Sequence, residues 1–290
     1  MTTIVPAILG GVAVLFAGAL PWVLVLAPLN QRVVPALPWA IVPMAVYLWG
    51  YWRYIGGRTG SAEDAPRRAQ LLRARPLAIP VWTFAMVTGL TGFAAILAGT
   101  GVIGRLVTLP ASAALVAPPD MPPATMMTLL VMASLVAGVS EEAGFRGYMQ
   151  GPIEARYGLL HAILVNGLMF GLLHFPNHPD AVIPMLPYYV AVAAVYSGLT
   201  WATDSILPAV ALHAGGDVWS LGRLWLTGQP EWQRSAAPAG LVWQTGLDGP
   251  FVRSLSLMIV FGVAAIAMCV SLRRLARSPS LVSRSHRSPA

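Results

Sequence analysis

The chain has 290 residues, of which 57% are hydrophobic and only 10% are charged, and its mean hydropathy is +0.68. Eleven acidic and eighteen basic side chains are too few to cover a soluble protein of this size, and a disordered chain would need more charge and less hydrophobicity. Cys269 is the only cysteine, which excludes a disulfide scaffold, so the composition predicts a polytopic membrane protein.

Segments of about 20 mostly apolar residues, the length that crosses a bilayer as a helix, recur along the chain. The fold class is therefore all-α, a bundle of about eight transmembrane helices. We expect residues 1–272 to form a single transmembrane domain and residues 273–290 to form a basic, disordered tail. In chain order, the predicted spans are about 4–28, 34–52, 78–100, 124–150, 158–174, 181–202, 205–227 and 250–272.

The basic residues, all of which are arginine, predict the orientation in the membrane. Arginines concentrate in the 53–75 loop and in the C-terminal tail, which lie on the same side of a bundle with an even number of spans. Since positively charged loops stay in the cytoplasm, we expect both termini to be cytoplasmic, in a plasma membrane of bacterial type and in contact with membrane lipid. Nucleic acid is not a predicted partner, because that requires a basic face on a soluble fold.

Two adjacent glutamates, Glu141 and Glu142, lie inside the fourth predicted span. An ionisable side chain at the bilayer centre costs roughly 3 kcal/mol unless it has a partner or a function. Glu142 and Arg146 are four residues apart, so they share one helix face and can form an ion pair. Glu141 points about 100° away and has no partner in this segment, which suits a general base or acid. We therefore predict different roles for the two glutamates.

Two later spans carry histidines at helical spacing. Asn166, Phe170 and His174 follow one another at steps of four, as do His213 and Asp217, so each set shares a helix face. Taken singly, each feature has an ordinary structural explanation, such as a satisfied buried pair or a hydrogen-bonded interfacial histidine. Their concentration on three spans of an almost uncharged core predicts one intramembrane site.

In order and spacing, these motifs resemble the signatures of the CPBP (CAAX-processing and bacteriocin-processing, or Abi) intramembrane endopeptidases. They are similar to the motifs of the type II CAAX prenyl proteases in that family. The resemblance covers roughly residues 124–225. The family's third motif often ends in Asn, whereas this chain has Asp217. The resemblance implies an eight-span helical protease with its site in a membrane cavity. The motifs are Glu141-Glu142-x-x-x-Arg146, Phe170-x-x-x-His174 and His213-x-x-x-Asp217.

The predicted reaction is hydrolysis of a peptide bond by an activated water. Glu141 would take the water proton, and His174 would orient the water or share the proton. His213, with Asp217 beside it, would stabilise the oxyanion or orient the scissile carbonyl. The substrate implied by the resemblance is a peptide or protein, either a prenylated CAAX-type tail or a leader peptide. Glu142 is also a catalytic candidate. Together with Arg146 it would stabilise the helix and neutralise the buried charge. Phe170 would give structural support to the site.

The cofactor stays open at this point. Glu141, His174 and His213 could hold a zinc ion, because three protein ligands and an open position are typical of catalytic zinc. The chain lacks the His-Glu-x-x-His helix of many zinc peptidases, and the preferred mechanism requires no metal.

Two other functions are compatible with buried glutamates and histidines. One is a proton-coupled transporter, which would move a solute without cleaving peptides. The other is a non-catalytic membrane scaffold or immunity protein, which would tolerate Glu141→Gln and His174→Ala. We also expect the proline-rich 175–188 segment to border the site, either as a gate or as an ordinary connector.

Overall fold

The computed structural model describes residues 3–109, 120–175, 182–229 and 240–278. Within these ranges the secondary structure is helical and no strand occurs, which confirms the all-α prediction. Residues 176–181 of the predicted gate and residues 279–290 of the predicted tail lie outside the described ranges. The helices are α1 (Ile4–Val33), α2 (Ile41–Ile55), α3 (Ala65–Leu72), α4 (Ile79–Leu106), α5 (Pro123–Tyr157), α6 (Leu159–Leu173), α7 (Val182–Thr203), α8 (Leu207–Thr227), α9 (Val242–Thr245) and α10 (Gly249–Ala276).

Five helices of the described chain, α1, α4, α5, α7 and α10, are long and apolar enough to cross a membrane by length and composition. Helices α2 and α6 have 15 residues each, which is short of the roughly 20 that a straight span needs. Helix α8 has 21 residues, but His213, Asp217 and Arg223 interrupt its apolar character and it is not one of the five. The protein is thus an integral membrane protein with several spans, while the predicted number of eight is not confirmed.

Two of the long helices contain π-helical segments, Pro21–Leu26 in α1 and Ala143–Met149 in α5. In α5, the backbone N–H of Gln150 donates to the carbonyl of Phe145, five residues earlier, which is the π-helical pattern. Such segments are rare and often occur at functional sites. This one begins directly after the glutamate pair.

The chain forms two compact units that alternate along the sequence. The first unit comprises residues 1–74, 113–158 and 209–230, and the second comprises residues 75–112, 159–208 and 231–290. The single transmembrane domain expected for residues 1–272 stays a prediction. Helix α10 continues to Ala276 and so includes the first four residues of the predicted tail, 273–276.

In the first unit, a glycine lets α5 and α8 approach each other closely. A Cβ atom on Gly138 would lie 2.8 Å from the backbone nitrogen of Ala214 and 2.9 Å from its Cβ. Small residues of this kind allow membrane helices to pack backbone against backbone. The contact sets His213, the neighbour of Ala214, alongside the glutamate pair of α5.

In the second unit, a buried arginine at the end of α4 holds the segment that precedes α10. The Arg105 side chain is 7% exposed, and its Nη1 donates to both carboxylate oxygens of Asp248, at 2.8 and 2.7 Å. Its Nε donates to the Gly240 carbonyl at 2.6 Å and its Nη2 to the Thr245 hydroxyl at 2.8 Å. Asp248 also caps α10 by accepting from the Phe251 N–H at 2.9 Å. The planar fork of the guanidinium thereby fixes the connection into α10.

Candidate active site

Glu142 lies at the centre of a buried polar cluster in the first unit. Its Oε1 atom accepts a hydrogen bond from Nη1 of Arg146 at 2.9 Å and another from Nδ1 of His213 at 2.8 Å. The side chains of Glu142 and Arg146 are completely buried, and that of His213 is 5% exposed. The ion pair predicted from the four-residue spacing forms, and the same oxygen also binds the imidazole of α8.

His213 faces carboxylates with both of its ring nitrogens. Because a carboxylate oxygen only accepts hydrogen bonds, Nδ1 carries the proton that is shared with Glu142. Nε2 lies 3.6 Å from Oδ2 of Asp217 and 3.8 Å from Oε2 of Glu141. These distances are longer than hydrogen bonds, and they are ion-pair distances when the imidazole carries a positive charge. The structure therefore brings Glu141, Glu142 and Asp217 around one imidazole.

The two glutamates differ in exposure although they are neighbours in the chain. The Glu141 side chain is 21% exposed and that of Asp217 is 30% exposed, whereas that of Glu142 is sealed. Oε2 of Glu142 is buried and has no hydrogen-bond partner among the residues that the structure describes. Glu141 and Asp217 are therefore partly accessible at the edge of the cluster, whereas Glu142 is not.

Phe170 and His174 belong to the second unit, at the C-terminal end of α6. Nδ1 of His174 lies 2.7 Å from the Phe170 carbonyl oxygen. The His174 ring is also flanked by the ring of Phe170, with centroids 4.6 Å apart, and by the ring of Tyr189 on α7, at 5.0 Å. Participation of His174 in the same reaction as Glu141 stays a prediction.

Comparison with known families bears on this set of residues. A family model described as Rce1-like type II CAAX prenyl endopeptidase matches residues 123–219, about a third of the 290-residue chain. The matched segment contains all three motifs. It confirms the CPBP resemblance. No curated protein and no solved structure matches the chain.

The matched segment is similar to that of a family of membrane proteases, which are hydrolases that act on peptides or proteins. Within the described ranges, no group of three or more His, Cys, Asp or Glu side chains has the arrangement of a metal site. The predicted zinc ligands Glu141, His174 and His213 come from both units. Zinc dependence is therefore a question for experiment.

Arg73, which the sequence indicates only as one of several topology-setting arginines, contacts the π-helical segment of the matched region. Its Nη2 donates to the Arg146 carbonyl at 2.7 Å and its Nη1 lies 3.4 Å from Oε2 of Glu154. The same Glu154 oxygen accepts from the Gln150 side chain at 2.9 Å. Arg73 follows α3 in a left-handed conformation with φ of 54°, which is unusual for a residue other than glycine. No sequence pattern distinguishes it from its neighbours in the loop.

Proposed function

We propose that this protein is an intramembrane endopeptidase that hydrolyses a peptide bond with a water molecule activated by Glu141. The difference in exposure between the two adjacent glutamates supports this role most directly. A general base has to reach its water, and Glu141 is 21% exposed. Glu142 is sealed and already accepts from Arg146 and His213, so it serves to hold α5 and α8 together.

In the first step, Glu141 takes a proton from the water while the water oxygen attacks the carbonyl carbon of the scissile bond. The carbonyl π-bond opens and its electron pair moves to the oxygen, which gives a tetrahedral oxyanion. The proposed role of His174 is to orient this water or to share its proton. Glu141 then gives its proton to the amide nitrogen, the C–N bond breaks, and a carboxylic acid and an amine leave.

His213 is the proposed partner of the oxyanion. Its Nδ1–H is held by Glu142, so the ring orientation is fixed before the substrate arrives. With a proton on Nε2 as well, the imidazolium donates a hydrogen bond to the negatively charged oxygen as the charge develops. Asp217 and Glu141, at 3.6 and 3.8 Å from Nε2, favour this charged form by electrostatic attraction.

The substrate class follows from the family and belongs to the proposal. We expect this protein to cleave a prenylated CAAX-type tail or a leader-type peptide. We also expect both termini of the protease itself to lie in the cytoplasm. A farnesylated CAAX-type peptide and the same peptide without the lipid, each added to purified protein in vesicles, distinguish the two classes. Preferential cleavage of the farnesylated peptide indicates the first class, and equal cleavage shows that the lipid is not recognised.

The decisive experiment compares Glu141→Gln with the wild type in the same vesicles. We expect cleavage to fall by about 10²–10⁴-fold, the usual contribution of a positioned general base. Glu63→Gln, which removes an exposed carboxylate in the loop before α3, is the matched control and should cleave normally. Normal cleavage by a folded Glu141→Gln protein would refute the proposal. Solute or proton flux without cleavage in the wild type would favour the transporter instead.

The proposed route uses no metal, and this part is tested separately. Metal content is measured on purified protein, and cleavage is measured before and after treatment with a chelator. Unchanged cleavage supports water activation by the side chains alone. Cleavage that disappears and returns on addition of zinc would replace it with a zinc-assisted route.

A further inference from the structure

We propose that Tyr189 is a positioning residue for His174. Together with Phe170, it holds the imidazole as the tautomer that carries its proton on Nδ1 and leaves a lone pair on Nε2. The catalytic meaning of that lone pair rests on the proposed function. The geometry lies entirely within the second unit and does not depend on it.

The tautomer follows from the end of α6. There the helix tightens, because the backbone N–H of His174 donates to the Gly171 carbonyl at 3.0 Å, three residues earlier. The Phe170 carbonyl, which would accept that N–H in a regular α-helix, instead lies 2.7 Å from Nδ1 of the imidazole. A carbonyl oxygen only accepts hydrogen bonds, so Nδ1 is the donor. In the neutral ring, Nε2 is then the atom that can take a proton or orient a water.

Two aromatic rings fix the plane of this imidazole. The Phe170 ring meets it edge-on, with an interplanar angle of 65°. The Tyr189 ring lies 5.0 Å away at 33°, and Tyr189 in turn meets Phe170 edge-on at 5.6 Å. Tyr189 is 3% exposed and Phe170 is 6% exposed, so both rings are themselves held by packing. A flip of the imidazole would exchange Nδ1 for a carbon atom and break the bond to the carbonyl.

Glycines on α6 allow Tyr189 to come this close. A Cβ atom on Gly167 would lie 2.7 Å from Cα of Val190, and one on Gly171 would lie 3.2 Å from Cδ2 of Tyr189. The four-residue spacing of the two glycines is that of close helix pairs in membranes. The same stripe therefore packs α7 against α6 and brings Tyr189 to His174.

The test substitutes Tyr189 in two ways. Tyr189→Phe keeps the ring, whereas Tyr189→Leu removes it. The control is Tyr196→Leu, since Tyr196 is on the same helix, is also 3% exposed, and packs on Phe93 at 5.5 Å rather than on His174. Each protein is purified with ¹⁵N-labelled histidine, and the signals of His174 are assigned by their absence in His174→Gln.

We expect the wild type and Tyr189→Phe to show His174 protonated on Nδ1, and Tyr189→Leu to show a mixture of tautomers. With the cleavable peptide, kcat of Tyr189→Leu should fall about tenfold while KM changes less than about twofold, because orientation acts on the chemical step. Tyr196→Leu should keep both the tautomer and kcat.

Several results would overturn the proposal: a wild-type His174 protonated on Nε2, an unaltered tautomer in Tyr189→Leu, or the same change in Tyr196→Leu. A Tyr189→Phe protein that behaves like Tyr189→Leu would also overturn it, because the ring would not be the effective group. If the wild type shows the Nδ1-protonated tautomer but cleaves no peptide, the proposed function fails and the positioning of His174 stands.

Discussion

Nδ1 of His213 lies 2.8 Å from Oε1 of Glu142, although 71 residues separate them in the chain. The same oxygen accepts from Arg146 at 2.9 Å. One buried carboxylate thus neutralises an arginine on its own helix and orients a histidine on another. This bond joins the buried ion pair of α5 to the histidine of α8.

The Glu142→Ala protein should be less stable than the wild type, because the completely buried Arg146 loses its carboxylate partner. Removing one partner of a buried ion pair typically costs about 3–5 kcal/mol of unfolding free energy. Thermal or denaturant unfolding in detergent measures the change. Glu141→Gln is the internal control, since it should abolish cleavage with less than about 1 kcal/mol lost. Equal stability of the two variants would contradict the division of roles.

Asp217 can be exchanged for the asparagine that is frequent in the family. Its side chain is 30% exposed and 3.6 Å from Nε2 of His213, so an amide of the same shape keeps a polar atom facing the imidazole. We expect Asp217→Asn to change kcat/KM by at most about tenfold, which is about 1.4 kcal/mol. Asp217→Leu should lose much more, since it faces Nε2 with an apolar group. A loss in Asp217→Asn as large as in Asp217→Leu would show that the charge itself is required.

Arg73 offers a test of the link between the 53–75 loop and α5. Arg73→Met removes hydrogen bonds from a charged group to the Arg146 carbonyl and to Glu154, each worth about 1.5–3 kcal/mol. Arg73→Gly should be less destabilising than Arg73→Met, because glycine adopts the left-handed backbone about 1 kcal/mol more readily.

The matched control is Arg67→Met, which removes an exposed arginine on α3 itself and should leave stability unchanged within about 0.5 kcal/mol. The three variants are compared by their unfolding midpoints in detergent. A loss in Arg67→Met equal to that in Arg73→Met would mean that general charge, rather than this contact, supports α5.

Acid should weaken the second unit through Asp248. The Phe251 N–H and, after it, the Arg105 guanidinium hold the pKa of Asp248 below its ordinary value of about 4. Because the folded pKa lies below the unfolded one, the stabilisation is complete above the unfolded pKa and is lost as the pH falls through the folded pKa. We expect unfolding free energy measured below about pH 4 to fall more steeply in the wild type than in Asp248→Asn.

Asp64→Asn is the matched control for this pH dependence. Asp64 also stands just before a helix, α3, but its side chain makes no capping hydrogen bond. Its substitution removes one carboxylate, as Asp248→Asn does, without removing a helix cap. A slope that changes equally in both variants would assign the effect to the net charge of the protein.

The local features of the site could be predicted from the sequence. Four-residue spacing placed Glu142 next to Arg146, and hydropathy indicated that this helix is buried in a membrane protein. The contact of His213 with Glu142 could not be predicted in this way, since it depends on how closely α5 and α8 pack at Gly138. The spacing of His213 and Asp217 suggested that pair, whereas the shorter contact is with Glu142.

Five of the eight predicted spans correspond to helices that are long and apolar enough to cross a membrane, whereas the other three are not among those helices. Helices α2 and α6 are only 15 residues long, and the polar side chains of the candidate site lower the mean hydropathy of α8. Window averages do not separate such helices from ordinary spans, because they register composition and not where a helix begins and ends. The structural role of Arg73 could not be predicted for a related reason. Counting charges records that the residue is positive but not that it contacts the Arg146 carbonyl and Glu154.

The π-helical segment Ala143–Met149 sets the rotation of the residues after it relative to the first half of α5. A π-turn holds one residue more than an α-turn, and one residue corresponds to about 100° of rotation about the helix axis. Deleting a single residue there would rotate the residues after the deletion by about that angle relative to Glu141 and Glu142, and would move Tyr148, whose hydroxyl donates to the Ile55 carbonyl at 2.8 Å. The extra residue of the segment therefore determines which side chains of α5 can contact α2 when the two glutamates face His213.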